Sequence, residues 1–251
     1  MEDFQDIVFS IEDRCAHVQL NLPASHNALT YRTIAELKAA IACARATPDV
    51  AALILSGAGR SFCSGDNLKD MGAVPHGGDL LATTTSDSYQ AVVQALRDLP
   101  LPVVTLGHGH VLGAGLELFM AGDIKLATRD ASFGIPFARL GLAAMNYHLP
   151  RQIGFTRAAR MLFSGDPIDG ATAVDWGLAT EFVDGNPQLL ERATYWADRF
   201  RTLSTWSIAT MKQTFYQAYE TEERHWYAWW TAQWINFLDR QRAAGEAEPN
   251  A

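Results

Sequence analysis

Two glycine-rich loops are the parts of this sequence whose residue types and spacing best suit catalysis. The first glycine loop, residues 59–68, reads GRSFCSGDNL, and the second glycine loop, residues 107–118, reads GHGHVLGAGLEL. Each follows a predicted strand, and backbone N–H groups at a loop-to-helix junction point outward with partial positive charge. Two such donors aimed at one point would form an oxyanion hole, and glycines permit the close approach that this requires.

Glu117 is the candidate group for proton transfer. Its neighbours Leu116, Leu118, Phe119 and Met120 are apolar, which is an unusual setting for a solvated carboxylate. An acid near a helix N-terminus is also favoured by the helix dipole, and this alone would explain its type. Partial burial would raise its pKa and suit proton transfer, so we interpret Glu117 as a general acid or base.

Alternating strands and helices must position these groups. A hairpin is predicted over residues 7–22, with its turn at 12–14. Apolar runs predict strands and helical periodicity predicts helices, and the alternation is typical of an α/β fold with a largely parallel sheet. The predicted strands are 50–55, 102–106 and 124–127, and the predicted helices are 30–46, 87–99 and 113–121.

The pattern becomes entirely helical after Gly185. We therefore predict two parts, an α/β core at 1–185 and a helical C-terminal region at 186–251, with helices at 187–201, 205–219 and 221–244. The aromatic residues of this region suit packing in the core or against another subunit, and a lid over a substrate pocket is the alternative. They include the tryptophans Trp206, Trp226, Trp229, Trp230 and Trp234.

Bulk composition excludes several classes of protein. The net charge is −8, the sequence pI is about 5.3, and no lysine or arginine run occurs, so nucleic acid and anionic membranes are unsuitable partners. No apolar run reaches the roughly 18 residues of a membrane span. The cysteines Cys15, Cys43 and Cys63 lack metal-ligand spacing and fit a reducing compartment. We expect a cytoplasmic protein without a metal.

The order and spacing of several motifs resemble the crotonase (enoyl-CoA hydratase/isomerase) superfamily over residues 8 to about 183. The resemblance implies a crotonase-like spiral of ββα units, followed by a helical C-terminal trimerisation region that often builds a dimer of trimers. The motifs are Asn27-Ala28-Leu29, the two glycine loops, Asp123-Ile124, residues 131–134, residues 140–142, Leu149-Pro150-Arg151, Ile153-Gly154, and residues 165–178.

The resemblance also implies a site. The substrate would be an acyl-CoA thioester, with coenzyme A as part of the substrate and no separate cofactor. Its enolate would be held by the backbone N–H groups of Asp66 and Ala114, and the first family glutamate falls on Glu117. The residues expected to line the substrate are Ser61, Cys63, Ser64, Gly65, Asn67, Leu68, Gly113, Phe137, Tyr147 and His148.

This chain departs from the family pattern where a second acid is expected. The second family glutamate falls on Phe137, and a carboxylate that some family isomerases carry falls near Met145. The segment before Leu149 is about three residues short, so Tyr147 and His148 either act as proton donors or lie on a rebuilt surface turn.

A second departure concerns coenzyme A. The family commonly has an arginine and a lysine before the position of Asn27, but residues 22–26 here read LPASH. Coenzyme A would then be held through Arg60 or Lys69, or the substrate lacks it.

Three functions therefore remain open. The leading hypothesis is an acyl-CoA enzyme with Glu117 as its single general acid/base, which suffices for double-bond isomerisation. The second is hydrolysis or carbon–carbon cleavage of a β-diketone or β-ketothioester, assisted by Tyr147 or His148. The third is a catalytically inactive trimeric binding protein.

Overall fold

A computed structural model describes residues 4–67, 88–141 and 146–220, together with positions 232, 235 and 239. Leu68 and Lys69 lie outside the described residues, as does the predicted helix 221–244 apart from those three positions.

A six-stranded sheet forms the centre of the fold. The strands are β1 (Ile7–Glu12), β2 (Cys15–Leu20), β3 (Ala52–Gly57), β4 (Val103–Gly107), β5 (His110–Leu112), β6 (Ile124–Thr128), β7 (Ser132–Gly134) and β8 (Glu181–Val183). The sheet order is β1-β2-β3-β4-β6-β8, and β5 pairs with β7 separately. Only the β1–β2 pair among these ladders is antiparallel, so the predicted α/β fold with a largely parallel sheet is confirmed.

Eight α-helices connect and cover these strands in the described part of the chain. They are α1 (Tyr31–Ala46), α2 (Tyr89–Arg97), α3 (Ala114–Met120), α4 (Leu149–Ile153), α5 (Phe155–Ser164), α6 (Gly170–Asp175), α7 (Asn186–Arg201) and α8 (Thr205–Glu220). The predicted cap of the first helix is confirmed, because the Thr30 hydroxyl accepts a hydrogen bond of 3.0 Å from the Thr33 N–H.

The sheet is covered on both faces, which explains why its strands are almost continuously apolar. Along β3 the side chains alternate between two clusters. Leu53 and Leu55 pack in the larger one with α1 and α2, whereas Ala52 and Ile54 pack in the smaller one. The smaller cluster includes the apolar face of α7, formed by Leu189, Ala193, Ala197 and Phe200.

Helix α8 is tied to the core by a buried lysine. The Lys212 ammonium donates to the carbonyls of Leu96 and Leu101 at 2.9 and 3.0 Å and forms a 2.8 Å ion pair with Asp123. The helical region up to residue 220 therefore packs directly on the α/β core, and the predicted boundary at residue 185 stays a prediction. No helix among the described residues has the length and apolarity to cross a membrane.

The topology brings the two glycine loops together. Strands β3 and β4 are parallel neighbours and end at Gly57 and Gly107, so the chain leaves both at the same edge of the sheet. In open parallel sheets this carboxyl edge is where ligands bind.

Candidate active site

Asn27 holds the first glycine loop in shape. Its buried side-chain amide donates to the carbonyls of Ala58, Ser61 and Phe62 at 3.0, 2.8 and 3.1 Å. Asn27 itself has φ of 56°, a left-handed conformation that asparagine tolerates better than most residues. One side chain thus holds three backbone carbonyls of a segment more than thirty residues away.

The backbone of Asp66 is oriented by a parallel bridge to Leu29. The Leu29 N–H donates to the Gly65 carbonyl at 2.8 Å, and the Asn67 N–H donates to the Leu29 carbonyl at 2.9 Å. In such a bridge the N–H and C=O groups of the central residue point to the opposite side. The Asp66 N–H is therefore directed away from Leu29.

The second glycine loop lies on that opposite side. The Cys63 N–H donates to the His110 carbonyl and the Leu112 N–H donates to the Cys63 carbonyl, both at 3.0 Å, which joins the two loops. A Cβ placed on Gly65 would lie 3.5 Å from the Ala114 nitrogen. The predicted donors Asp66 and Ala114 are therefore brought into one small region.

Ala114 keeps an N–H without an intrahelical partner. It is the first residue of α3, and the first N–H groups of a helix have no acceptor within it. Gly113 before it has φ of 55° and ψ of −124°, a conformation that favours glycine. Gly113 thus aims the start of α3 at the first loop.

The remaining predicted residues of the first loop differ in accessibility. Ser61 and Cys63 are buried: the Ser61 hydroxyl bonds His26 Nδ1 at 3.0 Å, and the Cys63 thiol donates to the Asn27 carbonyl at 3.1 Å. Burial raises the pKa of the Cys63 thiol to about 12, so it stays protonated and unreactive. Their side chains shape the loop, whereas Ser64 and Asn67 are half-buried and closer to solvent.

Glu117 lies one turn into α3 and is only 6% exposed. Burial raises its pKa to about 7, while a hydrogen bond from Asn146 and the charge of Arg97 oppose that rise. A carboxyl group with this pKa is present in both forms near neutral pH, so it can take and return a proton.

Three residues around Glu117 were not predicted from the sequence. Asn146 bonds the Glu117 carboxyl and accepts the Leu149 N–H at 2.7 Å, which fixes its own orientation. The Tyr89 hydroxyl, on α2, is close enough to Glu117 and Asp66 for both charges to raise its pKa. Arg97 supplies the nearby positive charge. Each is an ordinary polar residue in its local segment, so only the packing of separate segments reveals the cluster.

Phe137 lies beside the second glycine loop. Its ring atoms are 3.7 Å from the position that a Cβ on Gly113 would take, in the 3-10 turn Pro136–Leu140. An apolar ring therefore stands next to Gly113, at the position where the family resemblance led us to expect an acid.

Tyr147 and His148 have other partners. The Arg151 guanidinium lies 3.6 Å from the Tyr147 ring centroid, and Tyr147 is half-exposed. His148 contacts Arg97 Nη1 at 3.1 Å, and burial together with Arg97 and Arg151 lowers its pKa to about 4. His148 is therefore neutral at physiological pH, and its lowered pKa makes it a poor proton acceptor as well as a poor proton donor.

A cavity of about 620 Å³ adjoins these residues. Arg97, Tyr147 and His148 lie in its wall, and Lys212 and Tyr216 close the side formed by α8. Glu117, Asp66 and Ala114 are not among the described residues of that wall, so the predicted catalytic groups do not line this cavity. Within the described ranges no group of histidine, cysteine or acidic residues is arranged to hold a metal ion.

Comparisons with known proteins give the family. The family model described as "Enoyl-CoA hydratase/isomerase" matches residues 10–233. The chain is 31% identical to a "Probable enoyl-CoA hydratase" of Bacillus subtilis (strain 168), covering 78% of this chain and 76% of that protein. It is 30% identical to the "1,2-epoxyphenylacetyl-CoA isomerase" of Escherichia coli (strain K12), covering 84% and 82%.

Solved structures agree with the sequence comparisons. A putative enoyl-CoA hydratase from Streptomyces coelicolor A3(2) superposes with a TM-score of 0.87 at 27% identity, covering 99% of this chain and 94% of that one. An enoyl-CoA hydratase from Mycobacterium smegmatis gives a TM-score of 0.86 at 27% identity, covering 94% and 92%. The predicted crotonase-like fold is thereby confirmed. The chain is an enzyme of the enoyl-CoA hydratase/isomerase family.

Proposed function

We propose that this enzyme isomerises the double bond of an acyl-CoA thioester, using Glu117 as its single proton shuttle. The backbone N–H groups of Asp66 and Ala114 would hold the thioester oxygen while negative charge develops on it. The observation that carries this proposal is the buried Glu117 carboxyl, with its pKa raised to about 7, in a site where Phe137 replaces the second acid.

We favour isomerisation over hydration because isomerisation needs only one acidic side chain in the site. A double-bond shift removes a proton from one carbon and returns it to another, so one carboxyl on the shared face of the substrate suffices. Addition of water needs a proton acceptor for water and a donor for the α-carbon, which is the task of the family's second glutamate. Phe137 can do neither, because its ring carries no exchangeable proton.

The first experiment offers the purified enzyme two substrates. With a 3-enoyl-CoA, formation of the conjugated 2-enoyl thioester is expected, measured by its ultraviolet absorbance and by chromatography. With crotonyl-CoA, little hydration is expected. Release of free coenzyme A thiol would instead support thioester hydrolysis. No reaction with either enoyl thioester, together with loss of a β-diketone or β-ketothioester, would support carbon–carbon cleavage, and no reaction with any of these compounds would support a catalytically inactive binding protein.

Hydrolysis assisted by Tyr147 or His148 has less support. A general acid must carry a proton to give, and the lowered pKa of His148, about 4, leaves its imidazole neutral. Tyr147 is stacked against Arg151 in the wall of the 620 Å³ cavity, which the described residues Asp66 and Ala114 do not line.

Phe137→Glu tests whether the absence of a second acid accounts for the low hydration activity that we expect of the wild type. We expect hydration of crotonyl-CoA to rise by about tenfold or more, because the new carboxyl would stand beside the second glycine loop. The variant should lose about 1–3 kcal/mol of stability, since a polar group replaces a packed ring. Hydration is measured as loss of enoyl absorbance.

Phe137→Leu is the matched control for this substitution. It changes the packing without adding an acid, so hydration should not rise. A Glu variant that folds but hydrates no faster than the Leu variant would contradict the assignment of position 137 as the second acid position.

The enzyme is also proposed to assemble as a trimer or a dimer of trimers. Apolar side chains remain at the surface of one chain: Phe155 is 76% exposed, Phe163 is 77% exposed and Phe215 is 67% exposed. Exposed aromatic residues of this size are typical of protein interfaces. Their burial between subunits would remove this apolar surface from water.

Sedimentation velocity tests the assembly directly. At micromolar concentration we expect a species of at least three times the chain mass of 27.6 kDa. A single species at the mass of the monomer would contradict the proposal, whatever the outcome of the activity measurements.

A further inference from the structure

Asp66 carries a carboxyl group where the oxyanion hole needs only a backbone N–H. The residue is half-buried between the bridge to Leu29 and the second glycine loop. Its side chain accepts a hydrogen bond from its own N–H, the group assigned to the thioester oxygen. The carboxyl therefore lies beside the place where negative charge would develop.

The surroundings of this carboxyl oppose its ionisation. Burial raises the pKa of Asp66 to about 6, and only its own N–H partly offsets that rise. The Tyr89 hydroxyl on α2 and the Cys63 thiol of the same loop are close enough for the negative charge of Asp66 to raise both of their pKa values further. Leu29, which forms the bridge to Asp66, is uncharged. The negative charge of Glu117 on α3 also raises the pKa of the Tyr89 hydroxyl.

The two forms of Asp66 would have opposite effects on an enolate. A carboxylate competes with the enolate oxygen for the Asp66 N–H, and its charge repels the developing negative charge. A carboxylic acid has no charge and carries an O–H that can donate. An acid kept neutral in an apolar site can serve as such a donor to an enolate oxygen.

We propose that the side chain of Asp66, in its neutral acid form, donates a third hydrogen bond to the thioester oxygen. Asp66 would then be a catalytic residue through its side chain as well as its backbone. This inference rests on the proposed function, because the enolate that Asp66 would stabilise forms only in the proposed reaction.

In the proposed isomerisation Asp66 donates a hydrogen bond and transfers no proton to the substrate. The Glu117 carboxylate removes a proton from the α-carbon of a 3-enoyl thioester, and the electron pair of that C–H bond moves to the thioester oxygen. Glu117 then returns the proton to the γ-carbon, the C=O bond re-forms, and the double bond lies between the α- and β-carbons. Asp66 keeps its proton throughout.

This arrangement predicts an acidic pH optimum. Activity rises as Glu117 ionises, with its pKa of about 7, and falls as Asp66 ionises, with its pKa of about 6. The rate should therefore peak between pH 6 and 7, with the active form a minority at every pH.

Two variants of Asp66 test the role through exchange of the substrate α-proton with solvent deuterium, followed from pH 5 to 9. Asp66→Asn keeps a donor that cannot ionise, so the alkaline decline should vanish and the variant should exceed the wild type by about 30–100-fold at pH 8. Asp66→Ala keeps the backbone N–H alone and should be about tenfold slower than the Asn variant at every pH.

Several outcomes would overturn the inference. If wild type and both variants share one pH profile, the carboxyl is a bystander. If Asp66→Asn loses exchange as completely as Glu117→Gln, Asp66 transfers a proton instead of donating a hydrogen bond. In both cases loss of exchange in Glu117→Gln leaves the proposed function standing. Absence of exchange in the wild type with every thioester overturns the proposed function together with the inference.

A direct titration covers the case in which the variants do not fold. Carbon-13 NMR of the wild type labelled at aspartate carboxyls should show one signal with a midpoint near pH 6. Saturating the enzyme with a stable acyl-CoA thioester should move that midpoint upward, because the bound thioester oxygen favours the neutral donor form of Asp66. An unshifted midpoint, or none above the ordinary aspartate range of about 4, would contradict the inference.

Discussion

Glu117→Gln is expected to slow exchange of the substrate α-proton by about 10²–10⁴-fold, because an amide cannot take or return a proton. The amide has nearly the same shape as the carboxyl, and its oxygen can still accept the hydrogen bond from Asn146. The measurement is incorporation of deuterium from solvent into a saturated acyl-CoA, read by mass spectrometry. Binding of the thioester should persist, since the backbone donors at Asp66 and Ala114 are untouched.

The stability of this variant provides the control for folding. A buried acid whose pKa rises from 4.5 to about 7 destabilises the native state as pH increases through that range, because the unfolded chain ionises more readily. The Gln variant lacks this cost and should be more stable than the wild type by about 3 kcal/mol at pH 8, and no more stable at pH 4. Thermal unfolding at the two pH values measures the difference.

Glu191→Gln is the matched control for Glu117→Gln, at a position outside the candidate active site. Glu191 is exposed on α7, so its replacement should leave the exchange rate unchanged. If Glu117→Gln exchanges protons as fast as Glu191→Gln, Glu117 is only an acid near a helix N-terminus, and the chemistry lies elsewhere.

Ala114→Pro is expected to lower the rate of isomerisation by about 10²–10³-fold, since it deletes one of the two backbone donors. Ala114 is the first residue of α3, where proline fits the helix and removes an N–H that has no intrahelical acceptor. Gly113 before it, with ψ of −124°, is outside the helical region that proline disfavours in the preceding residue. The fold should therefore survive, which near-ultraviolet circular dichroism would check.

Ala114→Gly separates the loss of the N–H from the loss of the side chain. It removes only the methyl group and keeps the donor, so the rate should stay within a few-fold of the wild type. Equal rates in the Pro and Gly variants would show that the Ala114 N–H does not hold the thioester oxygen.

Sequence periodicity alone indicated the order of the main elements between residues 7 and 127, but it did not predict β5, β7 and β8 or helices α4, α5 and α6. The alternation of apolar runs and helical patterns predicted the hairpin and the parallel strands, because these signals depend on neighbouring residues. Boundaries were less well determined: the strand predicted at 50–55 lies at Ala52–Gly57. Its ends depend on pairing with β2, which continues to the Leu20–Gly57 pair, and that register is a long-range property.

The motifs predicted the backbone of the site, and the tertiary structure decided its side chains. Glycine spacing locates Gly113 and the start of α3, because unusual backbone angles leave a local trace in residue type. Asn146, Tyr89 and the carboxyl of Asp66 leave no such trace. Tyr89 comes close to both Glu117 and Asp66 only because β3 and β4 end at one edge and α2 packs beside α3, and burial in this region raises the pKa values of both acids.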